Sequence, residues 1–452
     1  MPAADPGSFR DPASRVFVDD EGVVRRLGER GLEAWRALSR TRFHTDAVAH
    51  GRLIESVEGP GGADAAAVLR HPRLEVITYP YEWTFSMLRD AALLQLDLLA
   101  EALAEGLAIK DATPFNIQFV AGRPMFIDVG SFEAYRDGDP WIGYRQFTRQ
   151  FLFPLMMRAW AGLPHRAWLR GHMEGPTAAQ MRSFLPRGRR MRPGAALHVS
   201  LQARMEERFS GEAARGELAE AGFSAELILA NVRKLRRLVE SLEWEPEAEG
   251  WSEYRSCPHA VRDRGAKGDF LRSALGRRNP ATVADFGAND GHFSDIAVDM
   301  GALAVAIDSD ESVLDDLYRR SPGRRLSVVV ADLADPSPAQ GWAGRERPAL
   351  FDRVRPDLII AYGVVHHLVY TASVPPAEVV RWLRSFGAAA VVELAGPHDA
   401  MVRKLTGNKL EGELHVGRTE AELRELVGAV FEVVSEKALE GGSRVLLELT
   451  PR

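Results

Sequence analysis

From Thr282 to its C-terminus the chain repeats one pattern: short runs of β-branched and aliphatic residues separated by helix-length segments. The runs are TVADFG, ALAVAID, LSVVVAD, DLIIAYG and AAAVVEL. None alternates polar with apolar, so each strand is buried on both faces. That pattern belongs to a parallel sheet covered by helices on both sides. Two further runs, FEVVSEKAL and RVLLELT, lie close together and predict a terminal hairpin that contributes one antiparallel strand. The expected fold of this half is therefore α/β, a mostly parallel doubly wound, Rossmann-like sheet.

A chain of 452 residues exceeds what one ordinary core accommodates. The acidic stretch SLEWEPEAEGWSEYRSCPH, broken by Pro and Gly, reads as a linker. It divides the chain into residues 1–245 and 259–452. The first part has mixed strands early, a long amphipathic helix over Met87–Glu105 and a mostly helical, Arg-rich second half. This predicts an α+β, largely helical domain. Cys257 is the only cysteine, which excludes an intrachain disulfide and a multi-cysteine metal site, and suits a reducing cytoplasm. The net charge of −6 argues against general nucleic-acid binding. The start, MPAADPGSFRDPASR, lacks the apolar core of a signal peptide. The greasiest stretch, FLFPLMMRAWAGL, is too short to span a bilayer and carries Arg158.

The chemistry is concentrated in ADFGANDGHFSDIAVDMGALAVAIDSD, residues 284–310. A strand ends at Asp285, a turn carries Gly287, Asn289 and Gly291, and a helix starts at His292. The glycines permit a tight turn and close ligand approach, and the helix start offers free N–H groups. A dinucleotide fingerprint needs G-x-G-x-x-G; here the spacing is G-x-x-x-G, with Asn289 at the middle position. Asp308 ends the second strand, where a carboxylate can accept both ribose hydroxyls. Asp332, followed by Leu333, ends the third and can reach an adenine amine. Single aspartates at strand ends often only cap turns. Three in succession suit S-adenosylmethionine better than a dinucleotide.

These motifs resemble those of class I S-adenosylmethionine-dependent methyltransferases, with DFGANDGHFS, AIDSD, ADLADPSP and DLIIAYGVVHHL as the successive elements. The chain as a whole resembles the NoeA-like nodulation-protein group through YPYEWTFSMLRDAALL, KDATPFNIQF, FIDVGSFE, PWIGYRQF, the PSPAQGWAGRER loop, VVHHL and VVELAGPHDAMVRKL, over about residues 75–405. After Leu405, LHVGRTEAELREL departs from the group's acidic-aromatic segment. In open α/β sheets the ligand sits at the carboxyl ends of the strands, so Ala361, Tyr362 and Gly363 border the donor. His366 and His367 start the next helix, one expected toward the pocket, with His366 the first choice as base. Glu393 is the second candidate for holding the acceptor, or else a salt-bridged strand end, and His415 a weaker third. The sequence allows Trp342 to cover adenine or acceptor, or to be an ordinary buried tryptophan, while Glu346 and Arg347 tie the long loop down.

The N-terminal half carries a second pattern, IKDATPFNIQF followed by PMFIDVGSF. It resembles the phosphotransferase signature of protein and aminoglycoside kinases. The resemblance implies that Asp111 accepts a hydroxyl proton while Asn116 and Asp128 hold magnesium. The segment ITYPYEW stands where a hinge between lobes is expected. No glycine-rich loop or V-A-I-K-like strand lysine precedes it. This favours a degenerate kinase-like domain kept as a scaffold or acceptor-binding module over an active kinase. The basic run Arg182–Arg208 reads as a solvated face. The expected function is methyl transfer from S-adenosylmethionine to oxygen or nitrogen of a small-molecule or glycan-like acceptor, with no resident metal and no membrane. Two rivals stand beside it: a bifunctional kinase–methyltransferase using Mg-ATP, and a non-catalytic S-adenosylmethionine sensor.

Overall fold

The computed structural model describes residues 3–19, 22–62, 64–203, 224–246, 258–415 and 419–452. Cys257, most of the linker and the end of the basic run (204–208) lie outside them. The chain divides into two units. One is Met1–Glu245 with Ala339–Pro348, the other Pro246–Pro338 with Ala349–Arg452. Among the described residues no helix is long and apolar enough to cross a membrane.

The first unit begins with a five-stranded antiparallel sheet of β1 (Ala3–Ala4), β2 (Ser14–Asp19), β3 (Gly22–Leu27), β4 (Val57–Gly62) and β5 (Ala65–His71), ordered β1-β2-β3-β5-β4. After a turn at Pro80–Glu82 comes α1, Phe85–Ala104, capped by the Thr84 hydroxyl accepting from the Met87 N–H. This is the long helix expected over Met87–Glu105, and most of its side chains are buried in the core of this unit. Strand β6 (Leu107–Ile109) pairs with β9 (Phe132–Ala134). Between them β7 (Ile117–Val120) and β8 (Arg123–Phe126) form a hairpin. Ala121 and Gly122 at its tip both have positive φ, the backbone a two-residue turn of this twist requires. Helices follow, including Phe153–Ala161, His165–Gly171, Ala178–Phe184 and Ala225–Glu240. Phe126, Phe132, Phe147, Phe151 and Phe153 are fully buried in this unit.

The second unit opens with α2, Pro258–Arg278. Its seven-stranded sheet contains β10 (Thr282–Phe286), β11 (Leu303–Asp308), β12 (Leu326–Val330), β13 (Leu358–Ala361), β14 (Ala389–Ala395), β15 (Phe431–Ala438) and β16 (Arg444–Pro451). The order is β12-β11-β10-β13-β14-β16-β15. The first five strands are parallel, and β16 runs antiparallel between β14 and β15. This is the doubly wound sheet with an antiparallel terminal strand that the spacing of apolar runs predicts. The chain winds from β10 to β11 and β12 on one side, then returns to β13 on the other. That reversal leaves a crevice at the carboxyl ends of β10, β11 and β13.

Candidate active site

A cavity of about 480 Å³ occupies that crevice, a volume suited to a cofactor-sized ligand. Its wall is built first by the turn after β10. The N–H groups of Gly287 and Ala288 donate to the Ile307 carbonyl at 2.9 and 3.1 Å, tying the turn to β11. Gly287 has φ +74, and a side chain there would press within 3.3 Å of Val364. Asn289 also takes a left-handed φ of 48°, a conformation asparagine tolerates better than most residues. Its N–H donates to Asp308 Oδ2 at 2.8 Å, while Oδ1 of the same carboxylate accepts from Asp310 N–H at 2.9 Å. Burial raises the Asp308 carboxyl above its ordinary range, against these hydrogen bonds. Gly287, Asn289, Asp308, Asp332, Leu333, Tyr362 and Gly363 all line the cavity.

Two residues of the turn do other work. Asp285 is almost fully buried, outside the cavity wall, and its Oδ2 accepts from the Ser294 hydroxyl at 2.7 Å. Burial pushes its pKa up to about 7. Gly291 caps α3 (His292–Asp299) at φ +76, with Leu317 side-chain carbons 2.6 Å from where a Cβ would stand. Both hold the turn from beneath. Asp332 folds onto its own turn, accepting from Ala334 N–H at 2.8 Å, while remaining at the cavity surface.

The acceptor side differs from expectation in three places. His366 is only 2% exposed and does not line the cavity; His367 does. The helix Val365–Tyr370 rotates successive side chains by about 100°, which turns His366 away from the cavity while His367 and Leu368 line it. Burial depresses both imidazoles, His366 to about 3 and His367 to about 4, with nearby Arg444 acting in the same direction. Glu393 is fully buried and outside the wall. Its carboxylate accepts from Lys267 Nζ at 2.8 Å and from Arg444 at 3.0 Å, and Arg444 also binds Asp399. Burial acts upward on Glu393, but the two cations hold it below the ordinary carboxylate range. The salt-bridge alternative is the one its geometry matches. His415 Nε2 donates to the Ser373 carbonyl at 2.8 Å and is likewise outside the wall.

Sequence reasoning missed the contribution of α2. Arg264 and Lys267, three residues apart on one helical face, both line the cavity. Arg264 pairs with Asp290 at 2.8 Å, and the Tyr362 hydroxyl donates to the Lys267 carbonyl at 3.2 Å. The signal available was two cations at i, i+3 in RDRGAKGD, just before the first strand. His292 and Phe293, at the start of α3, complete this side; Phe293 packs edge-on against Tyr362 with centroids 4.8 Å apart.

Within the first unit, Asp111, Asn116 and Asp128 converge. Asn116 Nδ2 donates to the Asp111 carbonyl at 3.2 Å and to Ser131 Oγ at 3.1 Å, and the Ser131 hydroxyl donates to Asp128. The loop is fixed from behind by PWIGYRQF and its continuation. Trp141 Nε1 donates to the Ile109 carbonyl, Ala112 N–H to Gln146, and the Thr113 hydroxyl to Gln150. Asp128 is paired with Arg25 of β3 at 2.6 Å. Among the described residues no group of three or more His, Cys, Asp or Glu could hold a metal. The segment Ala339–Pro348 also belongs here: Glu346 accepts from Arg10 at 2.7 Å, and the Arg347 guanidinium lies 4.6 Å from the Phe115 ring centroid. Trp342 is 68% exposed, so it is neither a buried anchor nor part of the cavity wall.

No family model matches the chain. Among solved structures it is similar to the N-methyltransferase NodS from Bradyrhizobium japonicum WM9, at 15% identity over 42% of this chain and 98% of that one, with a TM-score of 0.31. It is also similar to magnesium protoporphyrin IX methyltransferase (ChlM) from Synechocystis PCC 6803 with bound SAH. That match has 16% identity over 45% of this chain and 94% of that one, with a TM-score of 0.32. A curated relative, nodulation protein NoeA of Rhizobium meliloti (strain 1021), is 30% identical over 453 aligned residues, 97% of this chain and 94% of the relative. An identity of that size sustained from end to end covers both units and every element of the cavity, so the chain belongs to the NoeA family of nodulation proteins.

Proposed function

We propose that this protein is an S-adenosylmethionine-dependent methyltransferase acting on oxygen or nitrogen of a small-molecule or glycan-like acceptor. The observation that carries this reading is a single cavity wall holding Asp308, the left-handed Gly287–Asn289 turn and His367 together. Asp308 would accept the ribose hydroxyls, its carboxylate already aimed by two backbone N–H groups. The turn lets the donor's amino-acid tail approach the backbone, and Arg264 and Asp290 at the rim match that tail's carboxylate and ammonium. Leu333 and Asp332 suit an adenine ring and its exocyclic amine.

The donor supplies an activated methyl on a sulfonium. What the protein adds is position and proton handling. The methyl carbon passes in line to the acceptor atom as its bond to sulfur breaks, and the acceptor sheds a proton. His367, kept neutral by burial and set beside Val364 and Leu368, is the group in the wall to which this reading assigns that proton. Apolar neighbours Val364 and Leu368 exclude water from the donor. The first unit serves, in this reading, as a kinase-like module that retains its polar loop for acceptor recognition rather than for phosphoryl transfer. The Arg25–Asp128 pair favours this over the Mg-ATP alternative.

Calorimetric titration with S-adenosylmethionine, followed by methyl transfer assayed over amino- and hydroxyl-bearing small molecules and glycans, tests the proposal. Donor binding with turnover on any of them supports it; absence of donor binding refutes it. Binding without turnover on every acceptor favours a sensor.

A further inference from the structure

Asp128 is the residue that a phosphotransferase-like loop would present to a metal, but both of its carboxylate oxygens are engaged. Oδ1 lies 2.6 Å from Arg25, and Oδ2 receives the Ser131 hydroxyl. Arg25 stands on β3, the central strand of the sheet, and is 8% exposed. Its guanidinium places a fixed positive charge against the carboxylate. A divalent ion entering there would have to displace a largely buried ion pair and face that cation at close range. Arg25, with Ser131, holds Asp128 ionised against the upward pull of burial.

The neighbouring groups are oriented as acceptors. The Asp111 carbonyl can only accept, so the Asn116 amide nitrogen must face it, and that nitrogen's second proton goes to Ser131. The Asn116 carbonyl oxygen is thereby turned away, with no partner among the described residues. The Asp111 carboxylate has none either. It opens to solvent yet is crowded by the surrounding chain; that crowding and Asp128 both raise its pKa. Two buried nitrogens on one face of β3 and β5, Arg25 Nε and His71 Nε2, also lack a partner among the described residues. Arg25 and His71 are 8% and 6% exposed. Buried polar groups without partners are costly, and both nitrogens belong to side chains beside the Asp128 carboxylate.

We propose that Asp111 and Asn116, backed by the Arg25–Asp128 pair, form a metal-independent site for a sugar-like ligand whose hydroxyl or amino groups donate to the two free acceptors. Arg25 occupies the electrostatic role a divalent ion would otherwise fill. This deepens the acceptor-module reading above, but binding at this site and methylation of what binds are separable.

The test is saturation-transfer NMR on the full chain with glucose, glucosamine and myo-inositol, alongside Mn²⁺ binding followed by electron paramagnetic resonance. The wild type should transfer magnetisation to at least one of the three. Asp111→Ala should cut that transfer by about fivefold or more, as expected when a charged acceptor is lost, with S-adenosylhomocysteine affinity unchanged. Mn²⁺ at about 1 mM, a concentration that fills even weak carboxylate sites, should leave the wild-type loop unoccupied. No transfer to any of the three sugars, or equal transfer in Asp111→Ala, overturns the proposal. So does Mn²⁺ binding by the wild type that is lost in both Asp128→Asn and Asn116→Ala; the second variant leaves the Arg25–Asp128 pair intact and guards against misfolding. A sugar that binds through Asp111 without ever being methylated sinks the acceptor reading and leaves this one standing.

Discussion

His366 and His367 lie with ring centroids 4.5 Å apart and planes tilted by 38°, yet of the two only His367 reaches the cavity, and His366 keeps both ring nitrogens buried without a partner among the described residues. Two adjacent histidines therefore separate into a group that can handle a proton and a group that is an energetic liability. His367→Ala should lower the methyl-transfer rate constant by about 100-fold, within the range general-base removal produces, while donor affinity changes little. A rate within threefold of wild type, read under donor saturation, would remove His367 from the chemistry.

For His366 the informative variable is pH. Its pKa falls from 6.5 to about 3 on folding, so between those values the unfolded chain takes up a proton that the native state refuses. Stability from this group is full above pH 6.5 and declines as pH falls toward 3. His366→Leu removes the unpartnered nitrogens and that proton uptake together. Its chemical-denaturation midpoint should depend less on pH between 6.5 and 4, with a relative gain at pH 5. An unchanged slope would show that the imidazole is protonated in the native protein.

The two aspartates flanking the glycine turn should behave oppositely. Asp308→Ala should weaken S-adenosylmethionine binding by about tenfold or more, equivalent to roughly 1.4 kcal/mol, in calorimetry. Asp285→Asn should leave it nearly unchanged, because Asp285 lies outside the wall. The folded pKa of Asp285 is raised to about 7, so its ionisation costs stability progressively as pH rises from about 4 to 7. The asparagine variant should therefore be at least as stable as wild type at pH 8. Reversed donor affinities in the two variants would mean that the cavity is not the donor site.

Glu393 is the hinge of a buried network, joining Lys267 of α2 to Arg444 of β16. Glu393→Gln leaves two cations without their shared carboxylate, which should cost about 3 kcal/mol by denaturant unfolding. A loss below about 1 kcal/mol would mean that Asp399 alone satisfies Arg444. Glu393→Gln would also loosen α2, so donor affinity should fall with stability rather than independently of it.

Strand existence, order along the chain and the glycine turn follow from local chemistry alone. Runs such as LAVAI and LIIA have no polar residue to expose, so they must be central strands. Gly287 and Gly291 adopt positive φ, and the G-x-x-x-G spacing is a property of neighbouring residues. Asp308 was legible for the same reason, as the last residue of a parallel strand at the ligand-binding end of the sheet. What the sequence could not show was which way a side chain faces once elements pack. The choice of His367 over His366 depends on the rotation of a six-residue helix. Glu393 left the acceptor site because Lys267, 126 positions earlier, and Arg444, 51 later, reach it through the core. Arg25 reads as one basic residue among many until β3 brings it 2.6 Å from Asp128, over a hundred positions away. Periodicity and turn chemistry act over a few residues and are written in order. Charge pairing acts through space, and only the folded chain decides which charges meet.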